Sequence, residues 1–149
     1  MTFDQLDEIQ FHCEEAELAR FASENGIVEV WRRQSAFIGF RSATGFRRFD
    51  FKSGDHWEAM FLPNGENTWE WRLGLDIHCD DSQLILVLPG HDIPNLAVVP
   101  GVMTGKQLSG GNGVGLSIAV KPLGRSHIGR GDPIARLAFI DSFSAVSFE

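Results

Sequence analysis

Hydrophobic positions recur along most of this chain with the two-residue period of strands, and one stretch alone has helical spacing. Ile9-Gln10-Phe11-His12-Cys13 alternates and predicts a short strand. Residues 14–25 predict a helix. Glu14, Glu15 and Glu17 fill its first turn, where acids complement the helix dipole. Leu18, Phe21 and Ala22 form its apolar stripe, and Gly26 follows as a C-terminal cap. From Ile27 onward the pattern is β. Strands are predicted at 27–31, 36–40, 46–51, 56–62 and 69–73, with 75–78 continuing the last. Ser42-Ala43-Thr44-Gly45, Lys52-Ser53-Gly54-Asp55 and Pro63-Asn64-Gly65 read as turns. The run Leu84-Ile85-Leu86-Val87-Leu88 is uniformly apolar and predicts a central strand covered on both faces. Residues 96–99, 116–120, 126–128 and 134–140 supply further strands. Short strands at roughly 8–12-residue spacing predict a mainly β fold, a sandwich or a β-clip-like barrel, with one N-terminal helix.

Composition sharpens this picture. The chain has 149 residues, 43% hydrophobic and 22% charged, which fits a single domain over residues 1–149. It contains Phe 12, Trp 4 and Tyr 0, so its large rings carry no phenol hydroxyl. Trp69 and Trp71 share one face of their strand, and Glu70 and Arg72 share the other. With Trp57, the pair offers core packing or an aromatic wall that stacks a base, a sugar or a cation.

Net charge is −7, which argues against broad nucleic-acid binding. Its distribution is uneven. Residues 1–26, the acidic strand-and-helix segment, carry seven acids and one base; residues 27–52 carry two acids against Arg32, Arg33, Arg41, Arg47, Arg48 and Lys52. The two segments would pair within one chain or between subunits of a homo-oligomer. No apolar run approaches the roughly 18 residues of a membrane span. The N-terminus Met1-Thr2-Phe3-Asp4-Gln5 lacks the basic and apolar regions of a signal peptide, and Cys13 and Cys79 form no CxxC pair. Free thiols and a cytoplasmic location are the expectation.

The motifs yield no complete catalytic set. The loop 109–115 is Gly-rich but lacks the Lys-Ser/Thr ending of a phosphate-binding loop. His78-Cys79-Asp80-Asp81 and His91-Asp92 are the densest clusters of ligating residue types, yet neither has the spacing of a familiar metal site. There is no Gly-x-Ser-x-Gly elbow. No catalytic residue, metal ligand or cofactor is assigned.

Residues 116–140 carry a resemblance. Gly131-Asp132-Pro133-Ile134-Ala135-Arg136-Leu137 looks like the Gly-Asp-x-Ile-Ala-Gln-Leu segment that closes the β-clip-type core of the dUTPase and dCTP deaminase superfamily. Upstream, Val98-Val99-Pro100-Gly101-Val102 resembles that superfamily's Ile-Asp-Pro-Gly-Tyr/Phe hairpin, which holds the pyrimidine and the water-activating Asp. Val99 stands at the Asp position, Val102 at the aromatic one, and Arg136 replaces Gln. Gly124-Arg125-Ser126 echoes the phosphate-binding Gly-Arg-Ser but falls after the hairpin. The resemblance therefore implies a fold and carries no catalytic residue across, since a Val cannot act as a general base. The Trp-Glu segment, the Leu-Pro-Gly loop and the Gly-Asp-Pro-Ile ending are also similar to a family of small bacterial β-proteins that has no known activity.

The expected function is non-catalytic: recognition of a small anionic ligand or a protein partner. Arg47, Arg48, Trp69, Trp71, Arg72 and His91 are the candidate ligand-binding residues. The alternative is a divergent nucleotide hydrolase or deaminase-like enzyme that recruits other acids, such as Asp76, Asp80 or Asp92, with Mg²⁺.

Overall fold

Every strand pairing among the described residues is antiparallel; some neighbours are joined by tight reversals, while β1–β13, β8–β12 and β9–β14 bring together strands distant in sequence. The computed structural model describes residues 1–91, 93–109 and 115–141. In chain order the strands are β1 (Thr2–Phe3), β2 (Glu8–Phe11), β3 (Glu29–Arg33), β4 (Ala36–Phe40), β5 (Asp50–Ser53), β6 (His56–Ala59) and β7 (Phe61–Gly65). They continue as β8 (Thr68–Arg72), β9 (Gln83–Pro89), β10 (Leu96–Val99), β11 (Gly101–Thr104), β12 (Ser117–Pro122), β13 (Ser126–His127) and β14 (Ala135–Asp141). Helix α1 spans Leu18–Glu24, preceded by a 3₁₀ turn at Glu15–Glu17, and a short α2 spans Gly105–Ser109. The fold is mainly β, and the N-terminal helix carries the expected apolar stripe but begins at Leu18 rather than at residue 14, the acids Glu15 and Glu17 lying in the 3₁₀ turn before it.

The strands form a four-stranded sheet β10-β12-β8-β7, two three-stranded sheets, β11-β9-β14 and β2-β4-β3, and the pairs β5-β6 and β1-β13. Among the described residues none closes on itself. The barrel alternative is therefore not realised: each sheet ends on an edge strand, and closure would need every strand to pair on both sides.

Two apolar clusters hold these sheets together. The larger joins Ile38 and Phe40 of β4 to Phe46, Phe61, Trp69, Trp71, Val87, Ile118 and Val120. The smaller lies on the other face of the same sheet, where Phe11, Ile27 and Phe37 meet Leu18, Phe21 and Ala22 of the helix. Phe11 stacks on Phe21 at 4.3 Å between ring centres. Alternation sends Phe37 and Gly39 toward the helix and Ile38 and Phe40 toward the main core, so all five residues of β4 are buried.

This is the double coverage expected of residues 84–88. That run does form the central strand of its sheet, β9, between β11 and β14. Only Ile85 and Val87 are buried, however, while Leu84 and Leu86 are half-buried and Leu88 is exposed. An unbroken apolar run marks burial on at least one face; the second layer depends on which element crosses over it, and here the helix covers β4 instead.

Three further differences have local causes. Residues 46–51 are not one strand: Phe46–Phe49 is a 3₁₀ turn and the strand starts at Asp50. Residues three apart eclipse in a 3₁₀ turn, so Phe46 and Phe49 both face the core and Arg47 and Arg48 both face out. Residues 56–62 split at Met60 because the chain changes partners there, β6 pairing with β5 and β7 with β8. The turn after β7 falls at Glu66-Asn67, one step beyond Pro63-Asn64-Gly65; both have positive φ (54 and 56), as a two-residue type I′ hairpin requires. Residues 75–78 form no strand. The Gly-rich loop at 110–114 and Asp92 lie outside the described residues.

Candidate functional site

The basic stretch 27–52 resolves into paired and unpaired cations. Arg32 pairs with Glu15 at 3.0 Å and Arg41 with Asp7 at 2.8 Å, so these two arginines meet acids of the N-terminal segment within one chain. Arg33 pairs with Glu70. Arg47 and Arg48 have no ion-pair partner among the described residues, and both side chains line one cleft of about 600 Å³. Val28, Val30 and Phe46 contribute its apolar lining.

The loop that carries these two arginines is held by Glu29, which also lines the cleft. One oxygen of its carboxylate accepts Trp31 Nε1–H at 2.7 Å and the Thr44 hydroxyl at 2.9 Å. The other accepts the Thr44 backbone N–H at 2.8 Å. Alternation on β3 puts Glu29 and Trp31 on the same face, which is why one carboxylate reaches both. Gly45 follows with φ of 69, a left-handed conformation that opens the 3₁₀ turn. The Arg47 guanidinium then lies over the Trp31 ring, 5.9 Å from its centre, and Trp31 meets Phe46 edge-on. A cation held against an aromatic face and engaged in no ion pair among the described residues can take a negatively charged group.

The six residues singled out from sequence do not gather in one place. Arg47 and Arg48 share the cleft just described. Trp69 and Trp71 are only 4% and 5% exposed and sit in the core with Phe46 and Phe61. Of the three tryptophans weighed as an aromatic wall, only Trp57 is at the surface, on β6. Arg72 is committed to Glu58 at 2.9 Å and to Glu70 at 3.4 Å. His91 is exposed and lines a separate cleft of about 340 Å³ with Ile93, Asn95 and Leu123.

Sequence reasoning missed Glu29, Trp31 and Thr44. The available signal was weak: an acid and a tryptophan two residues apart on a strand, followed by a Thr-Gly turn. A third cleft, about 250 Å³, is bordered by Glu70, Asn64, Val99, Gly101 and Val102. Among the described residues no three His, Cys, Asp or Glu side chains come together as a metal site, and His78, Asp80 and Asp81 are all exposed. Cys13 and Cys79 form no disulfide. Among the described residues no helix is long and apolar enough to cross a membrane. Comparison with family models, with curated proteins and with solved structures finds no match.

Proposed function

We propose that the protein is a non-catalytic binding protein for a small anionic ligand, with Arg47 and Arg48 as the anion-recognising groups. The observation that carries this is the pairing pattern. Within the basic stretch 27–52, Arg32, Arg33 and Arg41 engage acids, whereas the two arginines on the roughly 600 Å³ cleft engage none among the described residues. A volume in that range accommodates a small ligand. Trp31 and Glu29 preorganise the cationic rim, which lowers the ordering cost of binding. The test is a thermal-shift and calorimetric screen of anionic small molecules at low salt, comparing the natural chain with an Arg47→Ala/Arg48→Ala variant. Saturable binding that the double variant loses supports the reading; a screen in which no anion distinguishes the two proteins removes it.

A second reading, a divergent nucleotide hydrolase, is favoured by one observation. Glu70 borders the same cleft as Val99, Pro100, Gly101 and Val102, the segment that resembles the superfamily's pyrimidine-holding hairpin. A carboxylate is thus present beside the segment that has Val where an acid is expected. Its two ion pairs, to Arg33 and Arg72, compete with any role as a base. A panel of nucleoside triphosphates with and without Mg²⁺ decides: turnover abolished by Glu70→Gln supports this reading, and no turnover removes it.

A further inference from the structure

We infer that the Arg47–Arg48 cleft takes a monoanion on an apolar body, an alkyl or aryl carboxylate, and discriminates against polyanions such as pyrophosphate or a nucleoside triphosphate. This rests on the anion-binding reading above and narrows its ligand class. The argument is a charge count joined to the nature of the walls. Two arginines line the cleft, and so does one acid, Glu29.

Glu29 is held by three hydrogen bonds and forms no ion pair with either arginine. Trp31 Nε1–H, the Thr44 hydroxyl and the Thr44 backbone N–H together occupy both of its oxygens. Its negative charge is therefore a fixed part of the cleft, and the balance presented to a ligand is a single positive charge. A compact monoanion matches that balance. Each further negative charge on a ligand is repelled by Glu29 and, once both arginines are engaged, meets no other cation among the residues that line the cleft.

The walls supply the rest. Val28 is 66% exposed beside Glu29 although it is a β-branched apolar residue, and Val30 and Phe46 also line the cleft. A ligand with a hydrocarbon body would cover Val28; an inorganic anion would leave it in water. Covering apolar surface contributes roughly 25 cal/mol for each Å² removed from water, so the hydrocarbon adds affinity that a bare anion lacks.

The experiment titrates the full chain with octanoate, with octanol and with inorganic pyrophosphate at low ionic strength, by calorimetry and by tryptophan fluorescence. The expected result is saturable one-to-one binding of octanoate, at least tenfold weaker binding of pyrophosphate and of octanol, and at least tenfold loss of octanoate affinity in Arg47→Ala/Arg48→Ala. Both arginines are exposed, so the variant keeps its core, which a thermal-unfolding scan checks. Pyrophosphate binding as tight as octanoate and lost in the double variant would overturn the monoanion class while leaving the anion-site reading standing. Octanol binding as well as octanoate would overturn the charge argument. No saturable binding of octanoate or pyrophosphate would overturn both the class and the anion site.

Discussion

Gly39 faces Ile27 so closely that a methyl group on it would lie 2.8 Å from Ile27 Cδ1 and 2.9 Å from Cγ2. Only the absence of a side chain lets the buried Ile27 close the smaller core over β4. Gly39→Ala overpacks this contact and should cost about 1–3 kcal/mol, read as a lowered thermal midpoint. Because the clash involves the Ile27 side chain itself, Ile27→Val, which removes Cδ1, should recover part of the loss. Simple additivity of the two costs in a double-mutant cycle would show that the contact is not the cause.

The 3₁₀ turn is anchored by rings, and Phe46 matters most. It is 2% exposed and meets Trp69 edge to face at 4.6 Å, with Phe40 and Trp31 near 6 Å. Phe46→Ala should cost about 3–5 kcal/mol, the range for emptying a well-packed aromatic site. Phe49→Ala should cost less, since Phe49 is only half-buried and its ring contact is to Phe61 alone among the ring pairs described. Urea unfolding of the two variants checks the order.

Ion pairs on this protein should differ in worth according to exposure. Arg32 and Glu15 are 68% and 75% exposed, whereas Arg33, Glu70, Arg72 and Glu58 are 31%, 21%, 18% and 22% exposed and form one chain of contacts. Glu15→Ala should change stability by about 0–1 kcal/mol, an effect that fades in added salt. Glu70→Ala leaves Arg33 and Arg72 each without one carboxylate and should cost about 1–3 kcal/mol, with weak salt dependence. Equal costs for the two variants would contradict this ranking.

Glu8 should make stability fall as pH rises. Burial raises its carboxyl pKa above the ordinary value, outweighing the Asn67 backbone N–H bond and the nearby Lys121 charge, both of which lower it. One oxygen accepts the Asn67 N–H at 3.0 Å, and the other is buried with no hydrogen-bond partner. With the folded value above the unfolded one, the protonated form is favoured by folding. Its contribution is complete below the ordinary carboxylate range and is lost as pH rises through the raised folded value. Glu8→Gln should therefore be more stable than the natural chain at pH 7, and the gap should close as the solution is acidified into the carboxylate range. A gap independent of pH would contradict the assignment.

Much of the architecture was legible along the chain. The helix stripe at Leu18, Phe21 and Ala22, the strand at 36–40 and the alternation of Trp69 and Trp71 against Glu70 and Arg72 all appear in place, because each depends on periodicity, which a short stretch of residues carries by itself. The segment Phe46-Arg47-Arg48-Phe49 was misread because two apolar residues three apart fit a strand edge or a tight turn equally well until the core behind them is known.

The candidate site was legible only in part. Arg47 and Arg48 were visible as members of a basic stretch, yet which of its six cations lack a counter-ion depends on contacts made far away in sequence. Asp7 reaches Arg41, Glu15 reaches Arg32 and Glu70 reaches Arg33. Likewise Trp69 and Trp71 carry the same pattern whether they wall a pocket or fill a core, and burial against Phe46 and Phe61 decided for the core. The sequence by itself determined the β-rich fold and the one substantial helix, since periodicity is a local property. The tertiary structure alone decided which sheet is covered on both faces, which charges are satisfied and which two arginines are left facing a cleft, since burial and ion pairing are properties of residues brought together from distant parts of the chain.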